Sequence, residues 1–491
     1  MTAHSSKKNG KFQKIALLAA GAGLGVAISL SFNVMADKET VASPLPIEDL
    51  RAFSTVFGLI KQNYVEPVED KKLISEAIKG MVAGLDPHSS YLDAEAFKDL
   101  QENTQGEFGG LGLEVNMEDG LVRVVSPIED TPAYRAGVKA GDYIVKIDDT
   151  QVQGLSLSEA VNKMRGKPGS AVTLTVLRKG AAKPMVLSLK RAVIKVQSVK
   201  SKLAEPDYGY IRVTQFQEHT TENVAKAIET LYKDNKGALK GLVLDLRNDP
   251  GGLLNGAVGV SAAFLPSNAL VVYTEGRTED AKIKLTASRE NYQRGGKDDY
   301  FKNVPADAKT VPLVVLVNGG SASASEIVAG ALQDHKRALI VGTQTFGKGS
   351  VQTILPIDAK SALKLTTARY YTPNGRSIQA KGITPDIVVE EATLNGKEES
   401  GLMLREADLQ RHLDNPSGES GPAPAPKPTI LPKPEVKAPA AKPASGAEEA
   451  EFNPRELASK NDYQLQQALS VLKVQQLLLQ QKQPAKPAAK K

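Results

Sequence analysis

Three apolar runs, GLVLDLR, VPLVVLV and RALIVGT, each break into a glycine-containing turn, and the first two then open a helix. With GYIRVTQF before them and the pair VQTILPI and LKLTTARYY after them, residues 193–400 read as buried strands. The segments LLNGAVGVSAAFL and SASEIVAGALQDH read as helices between those strands. Strand–helix–strand alternation implies parallel pairing in a layered α/β core. In such sheets chemistry gathers where strands end and helices begin, so the glycine turns are the places to search for function.

The rest of the chain divides by pattern. Residues 47–102 predict a helical region, with Leu50, Phe53, Val56, Phe57, Ile60 and Tyr64 at helical spacing, followed by KKLISEAIKGMVAGL and the turn DPHSSYL. His88 lies in that turn, where a bond to backbone is the expected role. Residues 103–192 alternate like strands around two short helices and predict a small, partly open barrel. Residues 416–452 are rich in Pro, Ala, Lys and Glu and predict an extended, disordered linker. Residues 453–482 resume order as an amphipathic helix, started by Asn453, Pro454 and Glu456. Leu465, Leu472 and Leu479 repeat every seven residues beside Ala468, Val471 and Leu478. Standing beyond a long linker, this helix is expected to pack on another copy or a partner, with docking back on its own chain as the alternative. A basic tail, 483–491, closes the sequence.

Residues 1–36 read as an export signal: Lys7, Lys8, Lys11 and Lys14 precede an apolar run, and Val34 and Ala36 fit cleavage after Ala36. An uncleaved anchor is the alternative; either way the body of the protein faces the far side of the membrane. Of the net charge of +6, this leader carries +4 and residues 422–491 carry +5, which leaves the remainder at −3. A basic globular face for nucleic acid is therefore not supported. The absence of cysteine excludes thiol nucleophiles, disulfides and cysteine zinc sites, and suits an oxidising compartment.

Three turns carry candidate chemistry. NGGSASASEIVAG, residues 318–330, sets Ser321, Ser323 and Ser325 at a strand-to-helix junction, where serines can be simple helix caps or one can be a nucleophile. GTQTFGKGSVQ places Lys348 between two glycines just past a buried strand. A desolvated lysine loses its proton near neutral pH and can serve as a base toward a serine, with Gln352 orienting its amine. In LRNDPGGLL, Asp249 and Pro250 shape a turn in which Gly251 and Gly252 expose backbone N–H groups to an anion. A Ser–His–Asp triad competes poorly: His335 lies about three helical turns past the serines, and none of the five histidines occupies a glycine turn after a buried strand.

NGGSASASEI, GTQTFGKGSVQ, DLRNDPGG and LDPHSSYL, in that family's order over residues 47–400, resemble the carboxyl-terminal processing peptidases, also called tail-specific proteases. The resemblance implies a layered core of the ClpP/crotonase type, so the expected fold is multidomain α/β (α+β), with that core, a PDZ domain, and the N-terminal helical region and separate C-terminal helix read above from their patterns. It implies a Ser–Lys dyad, with the serine 25 positions before the lysine, which selects Ser323 for Lys348. It further implies Gln352 as support for the lysine. Ala324 and one glycine of the Gly251–Gly252 pair would form the oxyanion hole, with Glu326, Asp334 and Thr345 supporting the site.

Residues 103–192 resemble a PDZ domain, with Gly109, Gly110, Leu111, Gly112 and Leu113 as the loop that holds a terminal carboxylate while the neighbouring strand edge pairs with an extended peptide. Arg165 matches a position that couples peptide binding to the active site in that family; a solvated helix-end cation is the alternative. The resulting expectation is a periplasmic serine endopeptidase without metal or cofactor, acting on proteins through their free C-termini. It would be a homo-oligomer, with an adaptor on the C-terminal helix and peripheral membrane association as further expectations. A silent scaffold that binds protein tails, and a crotonase-like hydratase, are the alternatives.

Overall fold

The computed structural model describes residues 46–118, 120–128, 130–180, 183–293, 295, 298–391, 405–416 and 457–482. The expected leader, nearly all of the linker, the basic tail and the expected start of the C-terminal helix at Asn453 lie outside the described residues. Met1–Ala77 and Ile78–Lys491 form separate compact units.

The first unit contains helix α1 (Ile47–Asn63), with Glu48 and Asp49 in its first turn, and the beginning of α2 (Asp70–Ala83). Acidic residues there complement the helix dipole. Leu50, Phe53, Val56 and Ile60 are exposed on α1. Among the described residues no helix is long and apolar enough to cross a membrane.

In the second unit, β1 (Ser90–Leu92) and α3 (Ala94–Gln105) lead to β2 (Glu107–Gly110). A small barrel-like body follows: β3 (Leu113–Glu118), β4 (Leu121–Pro127), α4 (Pro132–Arg135), β5 (Tyr143–Ile147), β6 (Thr150–Gln151), α5 (Leu157–Met164), β7 (Ala171–Leu177) and β8 (Met185–Lys190). Its sheet order is β3-β4-β5-β7-β8, with β6 on β5, so β3 is an edge strand. Val122, Val124, Ile144, Leu174 and Val176 fill its core. Strand β9 (Ala192–Lys195) pairs with β2 and closes the body off.

The layered core then runs β10 (Val199–Glu205), β11 (Tyr208–Val213), α6 (Thr220–Asn235), β12 (Gly241–Asp245), α7 (Leu254–Ala262), β13 (Leu270–Gly276), β14 (Lys284–Thr286) and α8 (Arg289–Tyr292). It continues with β15 (Leu313–Val317), α9 (Ala324–Asp334), β16 (Leu339–Gly342), β17 (Ser350–Pro356), β18 (Ala362–Tyr371) and β19 (Ile387–Val388). The order β10-β11-β12-β15-β16-β19 is parallel from β11 onward, as the alternation of strands and helices predicts. A second sheet, β1-β18-β13-β14 with β17 on β18, lies in the same unit.

The last helix, α10 (Tyr463–Lys482), corrects one expectation. It packs on its own chain. Leu465, Ala468, Leu469 and Leu472 are buried against Tyr208, Tyr210, Val243, Val314, Leu316 and Val341. Those residues alternate along their strands with Leu242, Leu244, Leu313, Val315 and Ile340, which face α6, α7 and α9. Strands that are apolar on both faces need cover on both, and α10 supplies the second layer. Arg247 bonds to Asp462 at 3.0 and 2.6 Å and to Gln464 at 2.9 Å, which anchors the start of the helix to the strand end after β12.

Candidate active site

The turns after β12, β15 and β16 converge at the C-terminal ends of three neighbouring parallel strands. Asn248 and Asn318 join the first two: Asn318 Oδ1 accepts the Asn248 N–H at 2.9 Å, and Asn318 Nδ2 donates to Asn248 Oδ1 at 3.0 Å.

The three serines differ sharply in use. The Ser321 hydroxyl donates to the Leu246 carbonyl at 2.8 Å and accepts the Asn318 N–H at 3.0 Å. The Ser325 hydroxyl donates to the Asp249 carbonyl at 2.9 Å. Both are buried pieces of the scaffold. Ser323 alone is partly open. It caps α9 with φ 55° and ψ −111°, a backbone geometry that costs a non-glycine residue about 1–3 kcal/mol and persists only where its surroundings enforce it. The Tyr370 hydroxyl donates to the Lys348 carbonyl.

Glu326 is the enforcing group. It is fully buried one turn into α9, and Oε2 accepts the N–H of Ser323 at 2.8 Å and of Lys348 at 2.9 Å. Oε1 accepts the Gly347 N–H at 2.7 Å and the Thr345 hydroxyl at 2.6 Å. Burial pushes this carboxyl up to about 7, against the four donors. Two donors on each oxygen occupy the lone pairs of a carboxylate, so the ionised form fits the site.

Lys348 is the counterpart across the cluster. Burial pushes its amine down to about 8, Lys364 adds to the shift, and Glu406, Glu326 and Asp86 oppose it. Among the described residues Lys348 forms no salt bridge, so no carboxylate holds its ammonium in contact.

Gly251 and Gly252 have distinct places. A Cβ on Gly251 (φ 98°) would lie 2.8 Å from Ser323 Cβ and 2.9 Å from the Ala324 nitrogen, so only glycine allows this approach. Its N–H, however, donates to Asp249 Oδ1 at 2.9 Å. Gly252 turns toward Phe216, with which it forms a parallel bridge. Ala324 begins α9, and its N–H belongs to the first turn, where helical amides lack internal partners. Burial pushes the Asp249 carboxyl up to about 8, and its Oδ2 is buried without a hydrogen bond.

Not every expected residue reaches this cluster. Thr345 bonds to Glu326 and accepts the Ile383 N–H at 2.6 Å. Gln352 donates to Ser350 at 2.9 Å and to Thr366 at 3.3 Å, not to Lys348. Asp334 is at the far end of α9, where it accepts the Asn374 N–H at 2.8 Å and pairs with Arg376. The His88 side chain, expected to bond to backbone, instead bonds to Glu406. Tyr370, Glu406 and Asp86 are members of the cluster that motif reading passed over. Asp86 and His88 stood inside LDPHSSYL, but nothing in spacing ties that turn to Lys348.

In the barrel-like body, the Leu111 side chain is buried and its carbonyl accepts the Ala133 N–H at 3.0 Å. Gly112 sits at φ 76°, where a Cβ would meet Thr131 at 2.2 Å. Of the expected loop, Gly109 and Gly110 end β2, where they pair with Val193 and Ala192 of β9, and Leu111 and Gly112 connect them to edge strand β3, which Leu113 begins. Arg165, at the end of α5, is no solvated cation: it pairs with Asp99 at 3.4 Å and Glu102 at 3.6 Å on α3 and covers the Phe108 ring at 4.7 Å.

Residues 207–389 match the profile of Peptidase family S41, residues 109–189 a PDZ domain, and residues 26–96 the Activating protease CtpB N-terminal domain. The chain is 48% identical over 391 residues to a carboxy-terminal-processing protease of Bartonella bacilliformis, covering 79% of this chain and 86% of that protein. Two Bacillus subtilis proteins are also similar. Carboxy-terminal processing protease CtpA is 39% identical over 67% of each chain. CtpB is 36% identical over 77% of this chain and 78% of its own.

Proposed function

The chain belongs to the carboxy-terminal processing proteases of peptidase family S41 and carries a PDZ domain, and from that premise we propose a serine endopeptidase working through Ser323 and Lys348. The observation that carries this reading is the shared Glu326 oxygen, which holds the Ser323 and Lys348 backbones together, while among the described residues no carboxylate contacts the buried lysine amine. A neutral Lys348 accepts the Ser323 proton as the serine oxygen attacks the scissile carbonyl. The Ala324 N–H and a glycine amide of the Gly251–Gly252 turn stabilise the oxyanion. The protonated lysine then gives its proton to the leaving amine, and water, activated by the same lysine, releases the acyl group from Ser323.

Substrate enters through its C-terminus. The amides at the turn Gly110–Leu113 between β2 and β3 take the terminal carboxylate, and the open edge of β3 pairs with the extended peptide behind it. Arg165 joins the end of α5 to α3 and is proposed to relay occupancy of this groove. Residues 1–36 and the lack of cysteine support export to the periplasm, with the inner membrane nearby. The exposed Val474, Leu477, Leu478 and Leu479 at the end of α10 support self-assembly or an adaptor through that end alone.

The test is cleavage of an unfolded protein by the intact chain, Ser323→Ala and Lys348→Ala, each with substrate bearing a free or amidated C-terminus. Loss of cleavage in both variants, and weaker processing of the amide, is expected. Turnover by either variant removes the dyad; binding without turnover by the intact chain leaves a scaffold.

A further inference from the structure

Lys348 faces charged and titratable groups from several elements: Glu326 on α9, Lys364 and Tyr370 on β18, Asp86 in the turn before β1, and Glu406 in the segment 405–416. Two of the three acids are fully committed to other donors. Glu326 holds four. Asp86 accepts the N–H groups of His88 and Ser89 at 2.8 and 2.9 Å, the Ser89 hydroxyl at 2.7 Å and the Thr366 hydroxyl at 3.1 Å. Both act as braces for the backbone.

Glu406 is built differently. It arrives from beyond the core, is fully buried, and has no lysine or arginine partner among the described residues. His88 Nε2 lies 3.0 and 2.8 Å from its two oxygens, and Gln379 Nε2 donates to Oε1 at 3.0 Å. Its backbone N–H donates to the Phe346 carbonyl at 3.2 Å, two residues before Lys348. The other end of the Gln379 amide accepts the Gly349 N–H at 3.0 Å, one residue after Lys348. Leu413 and Asn415 bond to Gln379 as well, at 3.1 and 2.8 Å, so the segment is fastened at both ends of its course. A buried carboxylate with no lysine or arginine in contact acts strongly on any charge sharing the same low-dielectric space.

We propose that Glu406, held by His88 and Gln379, is a positioning residue for Lys348: together with Gln379 it clasps the turn on both sides of the lysine, and its charge governs how readily the amine gives up its proton. This rests on the reading of Lys348 as the base. A negative charge at Glu406 stabilises the ammonium, so removing it makes the amine free at lower pH.

The experiment reads Lys348 directly. Acetylation of Lys348 by acetic anhydride is followed by mass spectrometry against pH in the Ser323→Ala chain, and kcat/KM against pH in the active chain. Glu406→Gln is expected to move both midpoints down by about one pH unit. His88→Phe with Glu406→Met, which replaces the pair by apolar groups of similar size, is expected to move them the same way and keeps the test available if the single variant fails to fold. Midpoints that coincide with the parent chain in the folded variants, or that rise, overturn the proposal. Activity surviving in Lys348→Ala sinks the catalytic reading instead, while the acetylation midpoint still reports whether Glu406 acts on the lysine.

Discussion

The carboxylate of Glu326 accepts the backbone N–H of Lys348 at 2.9 Å, and the same oxygen holds the N–H of Ser323. One buried side chain on α9 therefore sets the distance between two turns that leave different strands. In Glu326→Ala four buried donors lose their acceptor, at about 1–3 kcal/mol each where no water replaces it. Calorimetry should show a fall of at least about 3 kcal/mol in unfolding free energy, and kcat should drop more than about tenfold as the turns drift. A stable, fully active Glu326→Ala chain contradicts this account.

Lys348 must be neutral to act as base. With its amine pushed down to about 8, kcat/KM should climb with pH and level off above that value. Lys348→Arg keeps the charge and cannot deprotonate, so it should be inactive at every pH. The buried ammonium also costs stability. The folded value lies below the ordinary 10.5, so the cost is full below about pH 8 and absent above about 10.5. Lys348→Met should accordingly raise Tm at pH 6 and lose that advantage as pH rises.

Asp249 shows the opposite sign for an acid. Its carboxyl is raised from 3.8 to about 8, so ionisation becomes steadily more costly to the fold between about pH 4 and pH 8. Asp249→Asn keeps an acceptor for the Gly251 N–H and removes the charge. Its Tm should exceed the parent's at pH 9 and match it near pH 4. An ionised carboxyl beside a developing oxyanion also repels it, so the variant should retain more of its activity above pH 8 than the parent chain.

Helix α10 should behave as part of the core. Leu469→Ala removes a side chain that is 1% exposed and should cost about 2–5 kcal/mol. The loss should be independent of protein concentration, because the surface it packs on belongs to the same chain. A midpoint that falls only on dilution would instead mean that the helix is held by a second copy.

Much of the core was legible because its signals are local. Apolar runs interrupted by glycines announce buried parallel strands and the turns at their ends, and those turns are where Ser323, Lys348 and Gly251 stand. The choice of Ser323 among three serines rested on its spacing to Lys348 by family resemblance. The structure adds an independent physical difference, since Ser321 and Ser325 spend their hydroxyls on carbonyls after β12. Asp334 and Gln352 were harder. A motif gives a residue's position along the chain but not the direction of its side chain, and theirs point to Arg376 and to Ser350.

The sequence by itself determined the strand–turn–helix alternation, the glycine turns and the edge strand beside the PDZ-like loop, because each depends on residues within one or two turns of one another. Tertiary structure alone decided that α10 covers the second face of the sheet and that Glu406 and His88 meet beside the turn that carries Lys348. Those contacts join residues 215 and 318 positions apart, as in Arg247 with Asp462 and His88 with Glu406. Burial of apolar faces and of unpaired charge depends on which surfaces meet across the fold, and no local pattern records that pairing.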